Sequence, residues 1–193
     1  MINANFWNER YQSNQTGWDL KGPSTPLKEY IDQIKNKNIR ILIPGCGNAY
    51  EAEYLIEKGF TDITLIDIAE VLVKNLKEKF KNQPNIKIIK QDFFKLEGKF
   101  DLILEQTFFC ALHPSLREMY IEKIAHLLSH KGKLVGVLFN KEFGNTTPPF
   151  GGTFNEYFSS FSKKLTIQKM ENCYNSIKPR AGHELFISIK LKE

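Results

Sequence analysis

The sequence predicts an α/β fold with a seven-stranded sheet that is mostly parallel, ends in an antiparallel hairpin and carries helices on both faces. Short runs of β-branched and apolar residues alternate with amphipathic stretches along most of the chain. The helical stretches are long enough to connect parallel strands. After the fifth apolar run this alternation changes, and the last two runs are joined by a loop alone.

Five parallel strands and the helices between them follow from this pattern. The strands are predicted at residues 39–43, 63–66, 86–89, 100–104 and 133–139. The helices are predicted at residues 50–58, 71–80 and 114–128. Because helices separate most of the successive strands, the five strands are expected to run in the same direction. Their carboxyl ends then meet at one edge of the sheet, where open α/β sheets bind ligands.

The carboxy-terminal part of the chain predicts a different connection. A loop rich in glycine and proline, residues 144–152, leads to a short helix at 154–161 and to strands at 165–171 and 184–190. The last two strands can pair as an antiparallel hairpin through the loop 175–182. A dinucleotide-binding domain more often ends on a sixth parallel strand, so this ending argues against that class.

An amino-terminal arm, residues 1–38, precedes the first strand within what we interpret as a single domain, 1–193. The arm contains Trp7, Tyr11 and Trp18, including both tryptophans of the chain. A helix is expected from Pro26 to about residue 34, with Thr25 as its N-cap. We predict that the aromatic arm is a lid over a ligand site. The alternative is that these rings only cover a sheet or helix surface.

Composition narrows the class of protein. The net charge of +5 comes from 27 basic and 22 acidic side chains, and the lysines are scattered. Scattered lysines do not form the basic stripe of a nucleic-acid interface, so no nucleic-acid partner is expected. No apolar run has the length of a membrane span, and the start of the chain lacks the pattern of a secretory signal. Three widely spaced cysteines suggest reduced thiols. We therefore expect a cytoplasmic monomer.

A glycine-containing loop follows the first predicted strand. Gly45 and Gly47 allow a tight turn and a close approach of the backbone to a ligand. The helix after the loop offers free N–H groups to a carboxylate or phosphate. A dinucleotide loop would have a third glycine where this chain has the bulky Tyr50. This substitution argues against binding of a nicotinamide dinucleotide.

Acidic residues end the next three strands. Asp67 lies twenty residues beyond Gly47, where a carboxylate accepts the hydroxyl groups of a ribose. Asp92 and Phe93 could bind and flank an adenine, and Glu105 ends the fourth strand. These positions predict one crevice for a nucleoside ligand. Each carboxylate, taken alone, could instead be a solvated loop residue or a helix cap.

Other polar residues give weaker signals. His126 and His130 are four residues apart, but no third metal ligand accompanies them, so no metal site is expected. His113 lies beside the predicted crevice and could be a base, although a loop histidine before proline is more often a polar filler. Arg117 could face a substrate or pair with a helix glutamate.

Several motifs together are more specific than any of them alone. The chain resembles the thiopurine, thiol and halide methyltransferase family of class I enzymes, which includes plant thiocyanate and halide methyltransferases. The resemblance runs from about residue 6 to residue 191. It is carried by Trp7, Tyr11, Gly17-Trp18-Asp19, Thr25-Pro26-Leu27, Ile43-Pro44-Gly45-Cys46-Gly47, Asp67-Ile68, Asp92-Phe93, Phe100-Asp101-Leu102-Ile103, Phe108-Phe109-Cys110-Ala111-Leu112, Arg117 and Pro148-Pro149-Phe150.

The resemblance implies a Rossmann-like class I fold and a cofactor, S-adenosyl-L-methionine, that becomes S-adenosyl-L-homocysteine. It implies that Gly45 contacts the methionine end, Asp67 the ribose, and Asp92 with Phe93 the adenine. It also implies that the aromatic residues of the arm close over the cofactor. The expected reaction is methyl transfer to a small soft nucleophile such as a thiol, a thiopurine or a chalcogen anion.

Two departures from the family pattern bear on the methyl acceptor. Gln106 and Phe150 stand where plant relatives tend to have tyrosine, which puts halide in doubt as the substrate. Together with Arg117 they are the candidate residues of the acceptor pocket. Two alternatives to a methyltransferase stay open. One is a nicotinamide-dependent oxidoreductase, opposed by Tyr50. The other is a non-catalytic module that binds a cofactor or RNA, favoured only by the basic charge.

Overall fold

The computed structural model describes residues 2–192, and their backbone builds one seven-stranded sheet with helices on both faces. The strands are β1 (Ile41–Pro44), β2 (Ile63–Asp67), β3 (Ile86–Lys90), β4 (Phe100–Gln106), β5 (Leu128–Phe139), β6 (Leu165–Asn172) and β7 (Glu184–Leu191). The helices are α1 (Ala4–Gln12), α2 (Thr25–Asp32), α3 (Tyr50–Glu57), α4 (Glu70–Lys79), α5 (Arg117–Leu127) and α6 (Phe154–Ser162).

The strand order is β3-β2-β1-β4-β5-β7-β6. The first five strands are parallel, and β7 is antiparallel to both β5 and β6. The predicted fold class and terminal hairpin are therefore confirmed. The chain leaves β1 toward β2 and β3 on one side and later fills the other side with β4 and β5. This reversal places the switch point of the sheet at the carboxyl ends of β1 and β4.

Alternating side chains of the strands bury two hydrophobic clusters, one on each face of the sheet. Ile41 and Ile43 of β1 belong to the cluster covered by α2, α3 and α4. Leu42, between them, belongs to the cluster that includes Tyr120 and Ile124 of α5. Successive side chains of a strand point to opposite faces, so a short run of three apolar residues contributes to both cores.

The structure differs from the predictions at three places. Helix α1 lies inside the arm, where no helix was predicted. Helix α2 starts at Thr25, and its N-cap is Ser24, not Thr25; the Ser24 N–H donates to Glu51 Oε1 at 2.9 Å. Strand β5 begins at Leu128, directly after α5, so His130 lies in a strand and does not share a helix with His126. Helix periodicity ends gradually, and such boundaries are hard to predict.

None of the helices in the described range 2–192 has the length and apolar character of a transmembrane span.

Candidate active site

The loop after β1 turns through left-handed backbone conformations. Gly45 has φ = 55°, Gly47 has φ = 51°, and Ala49, the residue before α3, has φ = 56°. The Gly45 N–H donates to the Ile66 carbonyl oxygen at 2.9 Å, which ties the loop to β2. The two predicted glycines therefore occupy positions where a side chain is strained.

The two glycines have different surroundings. A Cβ atom added at Gly45 would lie 2.2 Å from Cδ2 of Phe108, far inside contact distance. A Cβ atom at Gly47 would meet only the Tyr11 hydroxyl, at 3.8 Å. Gly45 is required because an aromatic ring lies directly against its backbone. Sequence analysis included Phe108 only in a motif and did not assign it this role.

Asp67 lies at the end of β2, beside this loop. Its Oδ1 accepts the Ala69 N–H at 2.9 Å. Burial raises the pKa of Asp67 to about 6, and N–H groups of Ala69, Ile68 and Gly47 oppose that rise. Among the described residues, backbone N–H groups and no basic side chain stabilise this carboxylate. Buried carboxylates without a cationic partner are typical of functional sites.

The arm packs on the glycine loop and on the start of α4. The Trp18 ring meets the edges of Trp7 and Tyr11, with centroid distances of 5.4 and 5.7 Å. The Val71 N–H donates to Asn8 Oδ1 at 3.1 Å. Burial and the nearby Asp67 carboxylate raise the pKa of Tyr11. The three predicted arm aromatics are thus brought together beside Asp67, and Trp7 and Tyr11 also cover apolar surface, as in the alternative.

Asp19 gives the arm a second attachment. Its Oδ2 accepts the Asn48 Nδ2 at 2.8 Å and the Lys21 Nζ at 2.9 Å, and its side chain is almost fully buried. Sequence analysis quoted Asp19 only as part of a motif. A carboxylate that joins two segments distant in sequence gives no periodic signal, so this contact could not have been predicted.

Asp92 and Phe93 follow β3, as predicted, but only Asp92 is partly exposed to solvent. Asp92 Oδ1 accepts the Phe94 N–H at 3.0 Å, and the residue is partly exposed. Phe93 is 5% exposed, stacks on Tyr120 at 5.6 Å and meets the edge of Phe108 at 5.1 Å. The Phe93 ring thus packs against core aromatic residues, and its predicted place beside the adenine stays a prediction.

Glu105, also predicted for the crevice, lies one residue before the end of β4. The residue is fully buried. Its Oε1 accepts the N–H groups of Phe108 and Phe109, each at 2.8 Å, and its Oε2 accepts the Tyr120 hydroxyl at 2.6 Å. Burial raises the pKa of Glu105 to about 7. Both of its oxygens are thus hydrogen-bonded within the protein.

Gln106 is the last residue of β4 and lies at the carboxyl edge of the sheet. Its Oε1 is buried and has no hydrogen-bond partner within the described residues. Buried acceptors are almost always paired, so this atom, on the strand next to β1, is a candidate acceptor for a ligand donor. The following residue, Thr107, has φ = 58°.

Arg117 does not face a substrate in this structure. Its Nη1 pairs with Glu156 Oε1 of α6 at 2.5 Å, and its Nη2 donates to the Gly151 carbonyl oxygen at 2.6 Å. Its side chain is 9% exposed, and the guanidinium lies over the rings of Phe109 and Tyr157. The alternative, pairing with a helix glutamate, is the one that the structure contains.

Phe150 is close to the end of β4 through a backbone contact. Its N–H donates to the Cys110 carbonyl oxygen at 2.7 Å, and the residue is 7% exposed. Its ring meets His113 edge-on at 5.5 Å. His113 Nδ1 lies 2.8 Å from the Ser115 hydroxyl, next to the short turn that follows. This histidine is accounted for by local capping.

Comparison with known proteins distinguishes the methyltransferase interpretation from the oxidoreductase and non-catalytic alternatives. The family model described as Thiopurine S-methyltransferase matches residues 2–190. The chain belongs to the thiopurine S-methyltransferase family. It is 30% identical over 156 residues to a probable thiol methyltransferase 2 of Arabidopsis thaliana, covering 78% of this chain and 69% of the relative. It is 27% identical to thiocyanate methyltransferase 1 of Brassica oleracea, covering 92% and 81%.

A solved structure shows the same fold. The 1,6-didemethyltoxoflavin-N1-methyltransferase of Burkholderia thailandensis, crystallised with 1,6-didemethyltoxoflavin and S-adenosylhomocysteine, superposes with a TM-score of 0.81. The two chains are 17% identical, and the match covers 100% of this chain and 88% of the other. This member of the thiopurine S-methyltransferase family is thus an S-adenosylmethionine-dependent methyltransferase with a class I fold. The oxidoreductase and non-catalytic alternatives are not favoured.

The site of this family member fits the cofactor. A nucleoside needs an acceptor for its hydroxyl groups, and Asp67 offers a carboxylate that no basic side chain of the described residues neutralises. A bulky ligand also needs a backbone that it can approach, and Gly47 leaves that space open. No group of three metal-binding side chains occurs in residues 2–192.

One buried ion pair at this edge was missed by sequence analysis. Arg180, in the loop before β7, pairs through Nη1 with Glu184 Oε1 at 3.3 Å and donates from Nη2 to the Trp18 carbonyl oxygen at 3.0 Å. Both side chains are buried. Arginine is preferred to lysine in such pairs, so an arginine in a lysine-rich chain was the available signal.

Proposed function

We propose that this methyltransferase methylates a thiol or a heavier chalcogen anion in preference to a halide. The observation that carries the proposal is the pair Gln106 and Phe150, at positions where plant halide enzymes tend to have tyrosine. A phenolic O–H can hold a small anion beside the transferred methyl group, whereas phenylalanine offers no donor. Gln106 has an amide N–H, but on a more flexible side chain.

The names of the relatives support a sulfur acceptor. They describe thiol and thiocyanate methyltransferases, and both acceptors present a polarisable sulfur atom. Aromatic residues at the end of β4 and in the following loop, Phe108 and Phe109, could add apolar contact to a larger thiol. Burial of apolar area contributes about 25 cal/mol per Å². A bare halide ion has no such area to bury.

We assign the cofactor to the edge formed by the glycine loop and the ends of β2 and β3. Gly45 and Gly47 would hold the methionine end, Asp67 the ribose hydroxyls and Asp92 the adenine. The cofactor supplies a methyl group on a positively charged sulfur. The protein then has to align the acceptor in line with that bond and keep water out.

The acceptor chemistry requires little acid–base catalysis. A thiolate or chalcogen anion attacks without losing a proton, so a general base is unnecessary once the anion is bound. Nδ1 of His113, the candidate base, lies 2.8 Å from the Ser115 hydroxyl. Glu105, the other carboxyl group near the end of β4, has its oxygens bound inside the core.

We further propose that the arm acts as a lid. Trp7, Tyr11 and Trp18 form an edge-to-face cluster beside Asp67, and Asp19 ties the arm to Asn48 of the glycine loop. These contacts attach the arm to the segment that would hold the cofactor. A ligand that orders the loop is then expected to order the arm, as in other lid segments.

Localisation and assembly are also proposed. Cys46, Cys110 and Cys173 are free and buried, which agrees with a reducing compartment and with the cytoplasm. We propose that the chain 1–193 acts as a single domain and as a monomer on a small-molecule acceptor. Light scattering on the purified protein tests the oligomeric state.

Competition kinetics test the acceptor preference. Iodide, hydrosulfide and an aromatic thiol are offered to the wild type, and kcat/KM is compared for each. We expect higher values for the sulfur acceptors. The matched variants Gln106→Tyr and Phe150→Tyr, which introduce the residues of the plant enzymes, should shift the ratio toward iodide. A higher kcat/KM for iodide in the wild type would refute the acceptor class and leave the cofactor assignment intact.

A further inference from the structure

The carboxylate of Glu105 is buried next to the proposed site, and its hydrogen-bond partners belong to the protein itself. It lies in β4, one residue before the end of the strand that borders β1. Three donors occupy its oxygens: the N–H groups of Phe108 and Phe109 and the hydroxyl of Tyr120. Burying a carboxylate is costly unless hydrogen bonds compensate it. This arrangement therefore calls for a reason beyond packing.

Two of these hydrogen bonds stabilise an unfavourable turn. Thr107, between Glu105 and its two backbone donors, has φ = 58°. A β-branched residue rarely adopts this left-handed conformation. One oxygen of Glu105 accepts the N–H groups of the two residues that follow Thr107. The carboxylate thus holds the chain in a reversal that the local sequence disfavours. We call residues 106–110 the β4 loop.

The β4 loop contacts both halves of the proposed site. On the cofactor side, the Phe108 ring lies so close to Gly45 that a Cβ atom there would be 2.2 Å from its Cδ2. On the acceptor side, Gln106 holds a buried Oε1 without a partner among the described residues. The Cys110 carbonyl oxygen accepts the Phe150 N–H at 2.7 Å. A shift of this loop would therefore move groups on both sides of the methyl transfer.

We propose that Glu105 is a positioning residue: its carboxylate fixes the β4 loop, and through the loop it sets the positions of Phe108 against Gly45 and of Gln106 in the crevice. Glu105 touches neither the cofactor nor the acceptor. The inference rests on the proposed placement of both ligands at this edge. A misplacement of about 1 Å can reduce the rate of an enzyme about a hundredfold.

Three variants separate positioning from packing. Glu105→Met keeps the length of the side chain but removes the acceptor for the two N–H groups. Glu105→Gln retains an acceptor oxygen for them and an N–H group that can donate to Tyr120. The matched control, Tyr120→Phe, removes one hydrogen bond of the same carboxylate but leaves the backbone contacts intact, because they use the other oxygen.

Amide hydrogen exchange measures the loop without reference to activity. We expect the Phe108 and Phe109 amides to be protected in the wild type, in Glu105→Gln and in Tyr120→Phe, and to exchange with solvent in Glu105→Met. In activity, kcat of Glu105→Met should fall about ten- to a hundredfold, and the Kd for S-adenosylhomocysteine should rise by less. Glu105→Gln should restore kcat to within about threefold of the wild type.

Two outcomes would overturn the proposal. Wild-type kcat in Glu105→Met, with only a lower resistance to urea, would make the role structural alone. Equal loss of kcat in Glu105→Gln would show that the charge itself acts. If Glu105→Met does not fold, the same substitution is made together with Thr107→Gly, because glycine relieves the strain at φ = 58°. The Phe108 amide should then exchange faster in the double variant than in Thr107→Gly alone, and equal protection in the two would overturn the proposal.

Failure of this inference is distinguishable from failure of the proposed function. Amide exchange at Phe108 and Phe109 tests the β4 loop in the absence of any ligand. Loss of S-adenosylhomocysteine binding on Asp67→Ala tests the cofactor assignment with the β4 loop unchanged. A protein that passes the second test and fails the first retains the methyltransferase site but has no positioning role for Glu105.

Discussion

Substitution of Gly45 by alanine tests the close contact between the glycine loop and the β4 loop. Two costs are expected. Alanine at φ = 55° adopts a left-handed backbone conformation, which costs about 1–2 kcal/mol. The new Cβ atom also lies 2.2 Å from the Phe108 ring, whereas ordinary contact begins at 3.4 Å. The ring must retreat by roughly 1.2 Å, and overpacking of this kind typically costs about 1–3 kcal/mol.

Gly59 provides a matched control for the strain alone. It has φ = 82°, and a Cβ atom added there meets nothing within 4 Å. Gly59→Ala should therefore lower the free energy of unfolding by about 1–2 kcal/mol, and Gly45→Ala by about 2–5 kcal/mol. Urea unfolding at constant pH measures both values. S-adenosylhomocysteine should bind Gly45→Ala at least about tenfold more weakly, and Gly59→Ala like the wild type.

A double-mutant cycle identifies the cause. In a Phe108→Ala background the obstruction is absent, so Gly45→Ala should cost only the strain, and the coupling energy should be about 1–3 kcal/mol. Equal destabilisation by Gly45→Ala and Gly59→Ala, or a coupling energy near zero, would refute the contact. In that case the Phe108 ring does not lie against Gly45 in solution.

Further predictions concern the cofactor, the arm and pH. Asp67→Ala should weaken S-adenosylhomocysteine binding by about one to two decades, since a buried charged acceptor contributes about 1.5–3 kcal/mol; calorimetry showing wild-type affinity would remove the ribose assignment. The folded-state pKa of Asp67 is raised to about 6, so its contribution to stability is present below about pH 4 and lost as pH rises toward 6. Asp67→Asn should therefore raise the free energy of unfolding of the ligand-free protein at pH 8, and unchanged stability in urea would contradict the burial of this charge. Saturation with S-adenosylhomocysteine should change the emission of Trp7 and Trp18, the two tryptophans of the chain; unchanged emission together with unchanged protease sensitivity would count against the lid.

The sequence alone determined the fold and the edge of the sheet that carries the site. Apolar runs such as 63–66 were predicted as strands because short β-branched segments between helices have few other interpretations. Their parallel direction then fixed where the carboxyl ends meet, and this brought Gly45, Gly47 and Asp67 together without any knowledge of contacts. Tyr50, in place of a third glycine, correctly argued against a dinucleotide loop.

Only the tertiary structure decided how the acidic residues at that edge are buried and hydrogen-bonded. Asp67 and Glu105 are both acidic residues near the end of a strand, and the sequence treats them alike. The chain after β2 enters α4, whereas the chain after β4 reverses at Thr107 and brings two N–H groups onto Glu105. The guanidinium of Arg117 pairs with Glu156, which lies 39 residues further along the chain. The periodicity of a strand specifies the face of the sheet to which each side chain points, and the helices between strands indicate a parallel direction. The path of a loop depends instead on contacts between residues distant in sequence.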